Sequence, residues 1–177
     1  MIKGGKGGSK TLSGLEFEKR VNLRDIFAKL PDYHLKGNEL YYQEKLVAKF
    51  FKKFELYSKL LNKFKIYGKD RLSKLLLPDE TILVMNKKTL FIIEMKFQHV
   101  AGSVDEKLQT CDFKKKQYSK LLKGSDIKIE YVYILSDWFK KKEYDDTREY
   151  IKEVGCEFFF EELPFKFLGL PEPKIIK

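Results

Sequence analysis

Apolar residues recur at three- and four-residue steps along the first third of the chain. Leu23, Ile26, Phe27 and Leu30 make one stripe, widened by Leu15, Phe17 and Val21, and this spacing predicts an amphipathic helix. Ser13 and Glu16 form a capping box at its start, and Pro31 stops it. Residues 32–50 read instead as extended pieces, 40–43 and 46–50 about a tight turn, with a further turn at Gly37-Asn38. Helical spacing returns over 51–66, where Phe54, Tyr57, Leu60, Leu61 and Phe64 oppose Lys52, Lys53, Lys59 and Lys63. Two dense apolar runs follow, 81–85 and 89–93. They flank the polar turn Asn86-Lys87-Lys88, as in a β-hairpin. After Gly102, Ser103 and Glu106 form a second capping box, for a helix reaching about Lys123. Its stripe is Val104, Leu108, Cys111, Tyr118 and Leu122, with Lys115 as the misfit. Residues 127–135 predict a strand, and Ser136-Asp137 opens a helix to about Val154 that Gly155 ends. Residues 156–160 predict the last strand, before a tail made irregular by Pro164, Pro171 and Pro173.

The hairpin carries the chemistry. Glu94 and Lys96 are two residues apart, so on a strand both side chains leave the same face. Antiparallel pairing about a turn near residue 87 puts Asp79 opposite Glu94 or Lys96. Two carboxylates and an ammonium therefore meet at the open end of the hairpin. Carboxylate oxygens suit a hard cation such as Mg²⁺, which keeps waters and takes substrate phosphate oxygens. Such an ion activates bound water, and a nearby lysine holds that water and offsets charge, as phosphodiester hydrolysis requires.

Pro78-Asp79, fourteen intervening residues and then Glu94-Met95-Lys96 resembles the PD-(D/E)xK nuclease superfamily, to which type II restriction endonucleases and archaeal-type Holliday junction resolvases belong. The resemblance covers about residues 13–135. It implies an α/β fold of mixed α+β type, with a restriction-endonuclease-like α-β-β-β-α-β core whose mixed central sheet is flanked by helices. Residues 46–50 would supply the first core strand, and the block 31–70 would be an insertion for DNA contact or dimerisation. The resemblance also assigns roles: Asp79 and Glu94 as metal ligands, Lys96 as the residue that orients the attacking water, and Mg²⁺ as cofactor with Mn²⁺ as a substitute. A Glu on the first helix, a few residues after a Gly, often completes the metal shell. In Gly14-Leu15-Glu16-Phe17-Glu18 that residue is Glu18, which borders the buried face, whereas Glu16 faces Lys19 and Arg20. Gln98 continues the face of Glu94 and Lys96 toward the water or a phosphate. Lys107, Lys114 and Lys116, on the helix after the E-x-K strand, are candidate phosphate contacts.

Composition narrows the partners. The 177 residues suit one domain, residues 13–177, after a basic, glycine-rich arm, residues 1–12, read as flexible. A net charge of +10 points to a polyanion, first of all nucleic acid, although a lysine-rich genome bias supplies part of the excess. The arm does not make a P-loop, because Ser9 stands where Gly is needed and no apolar strand precedes it, so no nucleotide cofactor is expected. Cys111 and Cys156 lack metal-ligand spacing and fit free thiols in a reducing cytoplasm. No apolar run is long enough to span a membrane, and the N-terminus lacks the apolar stretch of a signal peptide. Three functions remain. The leading one is a Mg²⁺-dependent type II endonuclease that cuts double-stranded DNA as a homodimer, since one site cuts one strand. The second is a structure-specific nuclease such as a junction resolvase. The third is a non-catalytic DNA-binding protein that uses the same residues as an ion-pair cluster.

Overall fold

Every residue of the strand Glu80–Val84 (β4) is buried, and so is all of Thr89–Lys96 (β5) except Lys96. Runs apolar on both faces belong in the middle of a sheet covered on both sides, and that is where the computed structural model puts them. It describes residues 12–99 and 104–174.

The sheet has seven strands in sequence order: Tyr33–Lys36 (β1), Glu39–Tyr42 (β2), Lys45–Phe51 (β3), β4, β5, Lys128–Leu135 (β6) and Glu157–Phe160 (β7). Neighbours are antiparallel from β1 to β5 and parallel from β5 to β7. Parallel neighbours need a crossover, which the helices Val104–Leu108 (named α4 by its place in the chain), Cys111–Leu121 (α5) and Asp145–Glu153 (α6) supply. The fold is thus a mixed sheet with helices on both faces. Alternation splits each strand between two cores. Leu90, Ile92, Tyr131 and Tyr133 face α4, α5 and α6, with Leu108, Cys111, Tyr118 and Ile151. Ile82, Phe91, Ile93 and Val132 face Leu12–Arg20 (α1), Leu23–Phe27 (α2) and the tail, whose Leu163, Leu168 and Leu170 are buried.

Several boundaries depart from the sequence expectation. The helix expected over 13–30 breaks at Val21-Asn22. The Asn22 side chain accepts the Asp25 N–H at 3.2 Å and starts α2, satisfying an otherwise orphaned donor. Ser13 lies inside the first turn of α1 rather than at its cap. Over 51–66 the strand β3 claims Phe51, and a π-helical turn, Leu56–Leu60, passes into a 3₁₀ turn, Leu61–Phe64. Neither has 3.6 residues per turn, so the stripe drifts: Leu56, Leu60 and Leu61 are buried, while Phe54 and Phe64 are exposed. Gly68–Arg71 (α3) follows. The expected 103–123 helix is two, α4 and α5, broken at Gln109-Thr110, and Ser103 lies outside the described residues, as do residues 1–11 of the arm, whose Leu12 opens α1. The expected 136–154 helix begins as 3₁₀ turns, Asp137–Lys140 and Lys142–Tyr144, before α6. Within the tail, Phe165–Leu168 (α7) forms one short helix. The block 31–70 lengthens the sheet rather than standing outside it, since β1 and β2 pair onward from β3.

Candidate active site

The register sets the site. Glu80 pairs with Ile93 and Val84 with Thr89, so Asp79, one residue before β4, falls beside Glu94. The Met95 N–H donates to Asp79 Oδ2 at 3.0 Å, which ties that carboxylate to the end of β5. Glu94 and Lys96 point to the α5 side of the sheet, as does Asp79, while Glu80 points to the α2 side. Lys96 Nζ lies 2.7 Å from Glu94 Oε2 and 3.7 Å from Asp79 Oδ2, bridging the two carboxylates. It also donates to the Met95 carbonyl at 3.3 Å and sits 6.0 Å from the centre of the Tyr133 ring.

Helix α5 adds a cation. Lys114 Nζ lies 3.3 Å from the same oxygen, Glu94 Oε2. The sequence reading had Lys114 only as a phosphate contact. Its signal was visible: Lys114 lies three residues after Cys111 and four before Tyr118, on the helix face that both bury. Lys116 leaves the opposite flank, where it pairs with Asp112 at 2.7 Å. Lys107 is exposed, and its carbonyl accepts the Tyr133 hydroxyl at 3.2 Å. The structure therefore brings Lys114 to the carboxylates and takes Lys116 away from them.

Burial and charge tune the cluster. Burial raises the Asp79 carboxyl above its ordinary value. Lys96 and the Met95 N–H oppose this, and the charges of Glu94 and Glu18 add to it. Burial also disfavours the Glu94 carboxylate, but Lys96 and Lys114 outweigh it and hold its pKa below the ordinary value. Partial burial works to lower the Lys96 pKa, yet Glu94 and Asp79 outweigh it and raise it, so it stays an ammonium. Burial first, and then the charge of Glu94, push the Tyr118 and Tyr131 hydroxyls up, which leaves a neutral floor under the site.

Glu18 is half-buried on α1, and its charge is felt at Asp79. An ion pair between Arg20 and Glu161 ties the end of α1 to the segment after β7, and Glu161 Oε1 accepts the Asp137 N–H at 2.9 Å. Ser136 ties the segment after β5 to the end of β6, a role the sequence did not signal. Its Oγ accepts the Gln98 N–H at 3.2 Å and donates to the Gln98 carbonyl at 3.3 Å. The Gln98 side chain is buried, and neither end of its amide meets a hydrogen-bond partner.

Among the described residues no group of three or more His, Cys, Asp or Glu side chains is set closely enough to cage a metal ion. Asp79 and Glu94 converge on one cation, Lys96, and offer only hard oxygen donors. That donor set fits Mg²⁺, which binds through one or two carboxylates and keeps its waters. No helix among the described residues is long and apolar enough to cross a membrane. Comparison of the chain with protein-family models, curated proteins and solved structures gives no match in any of the three.

Proposed function

We propose that the chain is a Mg²⁺-dependent endonuclease that hydrolyses phosphodiester bonds in double-stranded DNA, in the manner of a small type II restriction enzyme working as a homodimer. One observation carries the reading: Lys96 bridges Asp79 and Glu94 at the neighbouring ends of β4 and β5, with Oδ2 at 3.7 Å and Oε2 at 2.7 Å. Neighbouring carboxylates repel unless a cation joins them, and two carboxylates beside a half-buried lysine are groups that a metal-assisted phosphodiester hydrolase would use. The element order α1, β3-β4-β5, α5, β6 fits an α-β-β-β-α-β nuclease core, and the net charge of +10 suits DNA.

Asp79 and Glu94 would hold the ion, with Glu18 beside them. A bound Mg²⁺ would supply a water of lowered pKa and neutralise charge on the phosphate. Lys96, held as an ammonium by the two carboxylates, would orient that water and offset the charge that develops during attack. Glu94 stays ionised because two lysines face it, whereas Asp79 needs higher pH to ionise fully.

A structure-specific nuclease would use the same residues. Phe113 favours that second reading: it is 60% exposed and next to Lys114, where it offers a ring to an unstacked base. The test is digestion of a long duplex of varied sequence with Mg²⁺, beside an Asp79→Ala variant and an EDTA control. Discrete fragments absent from both controls support the leading reading. Cleavage of branched DNA alone moves the assignment to the second. No cleavage of either substrate removes both and leaves the non-catalytic binder.

A further inference from the structure

Glu94 is the most enclosed member of the cluster, with its side chain 9% exposed, yet two ammonium groups share its Oε2. Lys96 reaches Glu94 at 2.7 Å and Asp79 at 3.7 Å, whereas Lys114 reaches Glu94 alone. Lys114 can therefore leave without unlinking the two carboxylates. The two lysines are also held differently. Lys96 belongs to β5, donates to the Met95 carbonyl and is 16% exposed. Lys114 reaches in from α5 on a flexible four-carbon stem, stands farther from the oxygen and is 24% exposed. Of the two, Lys114 is the more exposed and the less tightly held.

A divalent cation held by Asp79 and Glu94 would repel an ammonium 3.3 Å from Glu94 Oε2. One of the two lysines must yield, and the geometry selects the one on the helix. We propose that Lys114 is the resident counter-ion of Glu94 in the metal-free protein, that a divalent cation displaces it, and that the displaced ammonium takes a phosphate of the substrate. The inference rests on the nuclease reading. It makes metal and DNA cooperative: metal frees Lys114 for the phosphate, and the phosphate draws Lys114 off Glu94, so each ligand tightens the other.

The test is calorimetric titration of the full chain with Mn²⁺ alone, for wild type, Lys114→Met and Lys114→Arg. A short duplex is then titrated in Ca²⁺. Lys114→Met is expected to bind Mn²⁺ about tenfold more tightly than wild type, because a competing cation is gone. Lys114→Arg keeps the charge and should bind the ion no more tightly than wild type. The methionine variant should also bind the duplex several-fold more weakly. Unchanged or weaker Mn²⁺ binding by Lys114→Met overturns the proposal, and so does an equal gain in both variants. If Lys114→Met fails to fold, Lys114→Gln repeats the measurement with a neutral polar stem. A wild type that binds no Mn²⁺ and cuts no DNA sinks the nuclease reading and this inference together. A wild type that binds and cuts, beside a methionine variant of unchanged metal affinity, sinks the inference alone.

Discussion

Asp79 and Glu80 are neighbours in sequence that leave opposite faces of one strand, and the face decides what each carboxylate does. Asp79 meets Lys96 and the Met95 N–H. Glu80 is wholly buried on the α2 side, with Lys52 Nζ 3.8 Å from Oε1 and no hydrogen bond of good geometry to either oxygen. Burial pushes its carboxyl up to about 7. Lys52, the Leu23 backbone and Arg24 pull it down, and Asp25 adds to the rise. The folded state thus holds this proton more tightly than the unfolded chain, whose value lies near 4.5. Stability falls as pH rises from about 4.5 to about 7 and levels off above that, by an amount on the order of 3 kcal/mol. Glu80→Gln should remove that part of the slope and be the more stable protein at pH 8. Urea unfolding of both proteins at pH 4.5 and pH 8 measures it, and parallel pH dependence of the two would refute it. The position of Asp79, Glu94 and Lys96 on one face was legible in the sequence, because strand alternation has a rigid period of two. Lys114 was harder to read, since its partner depends on how α5 is rotated and docked.

Helix α5 is held at its C-terminal end and along one flank by groups far away in sequence. The Arg71 guanidinium donates to the Leu121 carbonyl at 2.8 Å and the Lys123 carbonyl at 2.6 Å, satisfying acceptors that a helix leaves open at its C-terminus. Lys115, the misfit of the apolar stripe, donates to the Gly155 carbonyl and anchors the flank. Arg71→Ala should cost about 1 kcal/mol, because the bonds are partly exposed and water replaces them in part. A urea midpoint shift would register this, along with faster amide exchange in the last turn of α5. An unaltered midpoint and unaltered exchange would mean that Arg71 does not hold the helix. Elements of this kind were legible as to existence but not as to ends. Phe17, Val21, Leu23 and Phe27 all enter one core although the chain breaks at Asn22. Leu108 and Cys111 likewise share a core across the break at Gln109-Thr110. Periodicity reports which side is buried, and it survives a break that keeps the same side inward. It failed over 51–66, where the turns themselves have another period.

At the scale of the whole molecule, the candidate site occupies one end of the sheet. The carboxylates and Lys96 gather where β4 begins and β5 ends, and the turn joining β4 to β5 lies at the far end. That layout followed from the hairpin pattern. Residues 32–50 were legible as extended pieces about turns, but the pairing of β1 and β2 onward from β3 was not, because four-residue strands carry little periodic signal. On the nuclease reading, one such cluster per chain would cut one strand at a time, so cutting both strands of a duplex in one encounter would need two chains in symmetric register. Co-expression of wild type with Asp79→Ala under two different tags, and purification over both, yields mixed dimers with one working site. On supercoiled plasmid with Mg²⁺ these should build up nicked circles, whereas the wild-type dimer goes on to linear product without pausing there. Dilution of wild type distinguishes a missing partner from a slow enzyme: fewer dimers lower the rate but leave the ratio of linear to nicked product unchanged. If the mixed preparation makes linear product at half the wild-type pace with no excess of nicked circles, the subunits act alone. The homodimer would then lose its role in the cut, while the Asp79, Glu94 and Lys96 site would keep its own.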